Sequence, residues 1–225
     1  MYKLYIANKN YSSWSLRPWC LMRELGIAFD EKLVPFGTAA FTDFSPTGKV
    51  PCLVDGGRTV WDSLAIVEYL AEQTPGVWPA DRSARAWARC AAAEMHSGFT
   101  SLRGACSMNC GLRIRIDAYT PALRQDLARL DELWNQGLAL FGGPFLAGNG
   151  FTAVDAFFAP VAFRLQTYSP PLSAAAQGYA ERLLALPSLR DWYAAALAET
   201  WRDSDHEKEV RHAGTLLNDF RVKPA

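Results

Sequence analysis

The residues best suited to chemistry open the chain: Tyr11-Ser12-Ser13-Trp14-Ser15-Leu16-Arg17 sets two hydroxyls five and four residues before a cation. Two further motifs follow, Gly48-Lys49-Val50-Pro51-Cys52-Leu53 and Trp61-Asp62-Ser63-Leu64-Ala65-Ile66. A cis Pro51, ending a loop and entering a strand, would turn the main-chain groups of Val50 outward to pair with an extended ligand. Asp62-Ser63 reads as a helix start, where a hydroxyl and free N–H groups hold a carboxylate. Pro18 lacks an N–H and suits a first helical turn, which puts the N-cap near Ser15 and leaves Ser12 and Ser13 in the loop before it. A thiol placed there meets a hydroxyl donor and the positive end of a helix, and both favour thiolate. Lowering a thiol pKa from about 8.5 by about two units takes roughly 2.7 kcal/mol, within reach of a charge-assisted hydrogen bond plus a helix terminus. Together the motifs outline a site for a peptide thiol. As plain turn residues, the two serines would instead bond their own main chain.

The elements that must carry these residues follow from periodicity. Residues 3–8 alternate as a strand, 16–25 read as a helix closed by Gly26, and 28–34 as a second strand. Pro51 to Val54, a turn at Asp55-Gly56-Gly57 and Arg58 to Trp61 form a hairpin, followed by a helix over 63–73. The breaker-rich Thr74-Pro75-Gly76-Val77-Trp78-Pro79 marks a domain boundary. Beyond it strand signals vanish, and helices are expected over 82–108, 119–140, 153–167, 176–185 and 188–200. Thr152 and Asp155 have the spacing of a capping box, worth about 1 kcal/mol. The domains are therefore expected at 1–77 and 82–205, with 206–225 a charged tail packed back through Leu216, Leu217 and Phe220.

Composition narrows the function classes. The 225 residues, 50% apolar and 12% aromatic, support a real core. Twenty-three basic and twenty-three acidic side chains give no net charge, so the total favours neither nucleic acid nor an anionic membrane surface. No signal-peptide segment and no membrane-spanning apolar run is present, and a cytoplasmic protein is expected. The five cysteines, at 20, 52, 90, 106 and 110, fit reduced thiols, and no metal site is expected because Cys106 and Cys110 lack a histidine in ligand spacing.

The order of these pieces resembles the glutathione S-transferase superfamily over about residues 3–200: a thioredoxin-like α/β N-terminal domain, the Val50-Pro51 loop, the Asp62-Ser63 helix start, and an all-α C-terminal domain with the Thr152–Asp155 box. Ser12-Ser13 before Arg17 is similar to the serine-type zeta class, whose members include maleylacetoacetate isomerases, although Trp14 and Pro18-Trp19 depart from that pattern. The resemblance implies glutathione as cofactor and Ser13 as thiol donor, with Ser12 and Tyr11 as rivals and Tyr5 assigned to the core. It also implies that Val50, held by Pro51, pairs with the cysteinyl unit. Asp62 and Ser63 would take the γ-glutamyl end, and Lys49 the glycyl carboxylate. His96, Phe99 and Arg103 recur at helical spacing and would face a small electrophilic second substrate. A homodimer through helices 63–73 and 82–108 is implied by the same analogy. The alternatives are a glutathione-dependent cis-trans isomerase and a non-catalytic binding protein of the same fold. A reductase or peroxidase using a protein cysteine is disfavoured, since residues 10–15 contain no thiol.

Overall fold

A computed structural model describes residues 1–38 and 40–223. The first half is β1 (Tyr2–Ile6), α1 (Ser13–Glu24), β2 (Phe29–Leu33), a single 3-10 turn at Phe41–Asp43, β3 (Cys52–Asp55), β4 (Arg58–Trp61) and α2 (Ser63–Ala71). The strands form one mixed sheet in the order β2-β1-β3-β4, with β1 parallel to β2 and antiparallel to β3, and β3 antiparallel to β4. In β1 the alternation buries Leu4 and Ile6 on the face that α1 covers. Gly56 takes the positive φ (+59°) that a two-residue hairpin turn requires.

The second half contains α3 (Arg82–Ser97), α4 (Thr100–Ala105), β5 (Leu112–Ile116), α5 (Pro121–Phe141), α6 (Ala153–Tyr168), α7 (Ala174–Leu184), α8 (Pro187–Ala198), α9 (Ser204–Ala213) and β6 (Gly214–Asp219). Helix α6 is apolar nearly all round and is buried on all sides, as such a helix must be; α1, α3, α7 and β5 pack around it. Its start is bonded to the linker, the Ala153 N–H donating to the Val77 carbonyl at 2.8 Å.

Four expectations are corrected. Helix α1 begins at Ser13, so Pro18 lies inside it rather than in its first turn. An internal proline costs about 3 kcal/mol, and the continuous burial of Ser15 to Met22 between α6, α2 and α8 offsets it. The single helix expected over 82–108 is two: Gly98 is extended and Phe99 left-handed (φ +52°), which buries the Phe99 ring. The carboxylate of Asp126, on α5, accepts the Leu102 N–H of the new helix at 2.9 Å. A Cβ on Gly98 would stand 2.7 Å from the Glu94 carbonyl oxygen. Gly98→Ala is accordingly expected to destabilise by about 1–3 kcal/mol, read by urea unfolding. The later part is not wholly helical, since β5 and β6 pair antiparallel, Leu112 opposite Asp219 and Ile116 opposite Gly214. Nor is 206–225 a plain tail. It forms most of α9 and all of β6, and it docks through backbone pairing while Leu216, Leu217 and Phe220 stay exposed.

Candidate functional site

The loop before α1 is built from main-chain bonds. Tyr11 and Ser12 N–H both donate to the Asn8 carbonyl, at 3.1 and 2.8 Å, so the chain turns back into the helix with Ser12 as N-cap and Ser13 as first residue. The helical half grips this loop from outside. Glu199 accepts the Lys9 and Asn10 N–H groups at 2.6 and 3.2 Å, and the Trp192 indole donates to the Lys9 carbonyl at 2.8 Å. Ser12 is buried and donates to Ser15 Oγ at 2.7 Å. Ser13 is only half-buried, and its Oγ accepts from the Arg164 guanidinium at 3.4 Å, which leaves the hydroxyl proton to point elsewhere. Arg164 is fully buried, bonded to the Arg103 and Cys106 carbonyls. Burial pushes its pKa down to about 10, so it stays charged at neutral pH.

The N-terminus of α2 lies along the same cleft. Asp62 caps it through the Leu64 N–H (2.8 Å) with a positive φ (+74°), and Ser63 is buried beside it. Behind them Arg17 is buried between the Trp14 ring (4.1 Å) and the Phe157 ring (4.9 Å). It donates to Ser63 Oγ and to His96 Nδ1, each at 3.4 Å. Burial first, then the repulsion of Arg103 and Arg164, lowers the Arg17 pKa to about 9, with Asp62 opposing. Burial also lowers the His96 pKa, so its imidazole is neutral at pH 7. With Nδ1 accepting from Arg17, Nε2 carries the proton and faces Asp62 Oδ2 at 3.5 Å. The result is a chain from guanidinium to imidazole to carboxylate that orients Asp62.

Two adjoining cavities share Trp14, Lys49 and Val50. One, of about 470 Å³, adds Thr47, Pro51, Trp61, Asp62 and Ser63. The other, of about 440 Å³, brings in Ser12, Ser13, Phe36, Met108, Arg164 and His206. The Val50–Pro51 bond is cis.

Residues 11–73 match the family model described as the glutathione S-transferase N-terminal domain, and residues 115–195 the one described as its C-terminal domain. The chain belongs to the glutathione S-transferase superfamily. A glutathione transferase homologue from Burkholderia gl BGR1, solved with bound glutathione, is 25% identical; the match covers 87% of this chain and 97% of that one, with a TM-score of 0.65. Among curated relatives, dichloromethane dehalogenase of Methylorubrum extorquens is 43% identical over 61 residues, 24% of this chain and 21% of that protein. Glutathione S-transferase T3 of Arabidopsis thaliana is 30% identical over 158 residues, 62% of this chain and 26% of that one. The chain thus spans only about a fifth to a quarter of these curated relatives.

Within this superfamily fold, Ser12, Ser13, Lys49, Val50, Pro51, Asp62 and Ser63 come together along one cleft. His96, Phe99 and Arg103 do not line it. His96 stands behind Asp62, Phe99 is buried at the α3–α4 break, and Arg103 lies over Trp14 at 5.4 Å. Tyr11 does line it, but its hydroxyl donates to Glu207 at 2.7 Å, and burial raises its pKa well above the ordinary value. Tyr5 stacks on Phe44 with centroids 4.3 Å apart. Sequence reasoning missed Trp14 as the shared wall of both cavities, Arg164 behind Ser13, and His206 and Glu209 on α9. His206 had a readable signal: it lies three residues after Asp203, the spacing of a helix cap.

Proposed function

We propose that the protein is a glutathione transferase that stabilises the glutathione thiolate with the Ser13 hydroxyl and delivers it to a small electrophile. The observation that carries this reading is the half-buried Ser13 Oγ at the first residue of α1, with a buried guanidinium on its acceptor side and its proton free for a sulfur. In this arrangement the Arg164 charge and the helix dipole both favour an anion in front of Ser13. Ser12 spends its proton on Ser15, and Tyr11 spends its own on Glu207, which leaves Ser13 the better donor. The rest of the tripeptide is assigned by chemistry: the Val50 main chain to the cysteinyl unit, Asp62 to the γ-glutamyl ammonium, Ser63 to its carboxylate, and exposed Lys49 to the glycyl carboxylate. His96 and Arg103 then act from behind the cleft, holding Asp62 and Trp14.

Calorimetric titration with glutathione, followed by ultraviolet titration of the bound thiolate, tests the assignment. Ser13→Ala is expected to raise the pKa of the bound thiol by about one to two units, a 10- to 100-fold fall in its acid dissociation constant. An unchanged titration would move the role away from Ser13. A second reading, a zeta-like cis-trans isomerase working on an acidic substrate, is favoured by Arg164 and Lys49, two cations at one cavity. Turnover of maleylacetoacetate faster than conjugation would select it, whereas glutathione binding without either activity would leave a binding protein. A cytoplasmic homodimer through α2 and α3 belongs to the same reading. Glu68 and Arg89 pair at 3.3 Å between those two helices.

A further inference from the structure

Deprotonating a thiol leaves a proton to be placed, and neither Ser13 nor Arg164 can accept it. The His206 imidazole in the same cavity can. The cap of α9, Asp203, accepts the His206 main-chain N–H at 3.1 Å and His206 Nδ1 at 2.7 Å, both through Oδ1. The second bond fixes the tautomer: Nδ1 holds the hydrogen, and Nε2 holds the lone pair. Nε2 has no hydrogen-bond partner among the described residues. The ring plane is set by Tyr11, stacked at 5.1 Å and 26°, and by Phe36 at 4.9 Å and 33°. The imidazole lines the cavity that holds Ser13, together with Phe41, Met108 and Trp14. A carboxylate-held, aromatically clamped imidazole lining the same cavity as the Ser13 hydroxyl is the arrangement of a general acid–base.

We infer that His206 is the proton carrier of this active site, a catalytic residue beyond Ser13, and that it serves addition of glutathione to planar conjugated carbonyl compounds. The inference rests on the glutathione reading above. The thiol S–H bond breaks, with its proton passing to His206 Nε2 and its electron pair staying on sulfur. The sulfur then forms a bond to the β-carbon, and the π electrons move to the carbonyl oxygen. The imidazolium returns the proton to the α-carbon, so the cycle needs no oxidant or reductant. Addition uses the proton twice, whereas displacement of a halide discards it. The apolar walls Phe36, Phe41 and Met108 suit a flat conjugated electrophile. The charged and titratable groups around the imidazole are Asp203, Glu207 and Glu209 from its own segment, Tyr11 from the N-terminal loop, Lys49 and Arg164 from the cavity walls, and Arg221 paired with Glu207.

The experiment compares wild type, His206→Asn and His206→Ala, with glutathione affinity measured by calorimetry and turnover measured with benzylideneacetone. In His206→Asn the amide can still donate toward Asp203 but cannot carry a proton. Glutathione affinity is expected to stay within about twofold of wild type and kcat to fall about a hundredfold. Added imidazole is expected to restore part of the turnover of His206→Ala, a response that loss of a helix cap would not produce. Retained turnover in His206→Asn with glutathione still bound, or no imidazole rescue of a folded His206→Ala, overturns the role of His206 and leaves the transferase reading intact. Failure of the wild type to bind glutathione overturns both.

Discussion

Replacing Asp155 by alanine is expected to lower the free energy of unfolding by about 3–5 kcal/mol, several times the cost of an ordinary helix cap. The spacing of Thr152 and Asp155 signals only the cap. In the folded chain the carboxyl is fully buried and receives four donors: the Leu146 N–H at 3.1 Å, the Thr152 N–H at 2.9 Å, Thr152 Oγ1 at 3.3 Å and the Tyr179 hydroxyl at 2.8 Å. It therefore ties the Phe145–Gly148 turn and α7 to the start of α6, and alanine would strand those donors in a space closed to water. Urea unfolding gives the difference, and a loss near 1 kcal/mol would reduce Asp155 to a cap. The pH dependence has a definite sign. Burial raises the Asp155 pKa from 3.8 to about 6, with the bonds from Thr152, Leu146 and Tyr179 opposing. The folded state then holds this proton more tightly than the unfolded state, so the contribution is fully present below 3.8 and is lost as pH rises through about 6. The margin of wild type over the alanine variant should be wider at pH 4 than at pH 7.

Arg17→Met should separate binding from stability. A buried guanidinium pays a desolvation cost, and exchange for an apolar side chain of similar volume is often neutral, so unfolding should change by less than about 1.5 kcal/mol. Methionine can still pack between Trp14 and Phe157. What it cannot do is donate to Ser63 Oγ and His96 Nδ1 or hold a positive charge behind the proposed γ-glutamyl subsite. Glutathione affinity is accordingly expected to fall about 10- to 100-fold, equivalent to about 1.5–3 kcal/mol for hydrogen bonds to a charged group. Unchanged calorimetric affinity would show that Arg17 serves packing alone.

Most of the first half was readable from the sequence because its signals are local. Alternation exposes β1, the Gly56-Gly57 turn exposes the hairpin, and Asp62-Ser63 marks the start of α2. The seven cleft-lining residues that the resemblance assigns to glutathione were legible for the same reason, since each lies in a short motif. What escaped depends on distant packing. Pro18 argues locally for a helix start, and only the burial of α1 on α6 explains its place inside the helix. The alternation Leu112-Arg113-Ile114-Arg115-Ile116 was a visible strand pattern, but its partner is about a hundred residues away in β6. His96, Phe99 and Arg103 share a face only on an unbroken helix, and the Gly98–Phe99 break turns them to different tasks. Arg164 gave no local sign of its place behind Ser13, which arises because α6 crosses the start of α1.

The grip of Glu199 and Trp192 on Lys9 and Asn10 bears on how such chains can be recombined. A chimera that joins residues 1–77 to the helical half of a distant homologue would inherit the serine-bearing loop without its clamp, and the loop's geometry would no longer be specified. Crossovers that move both partners together, or that graft the Glu199 and Trp192 positions along with the first half, are the ones that preserve it.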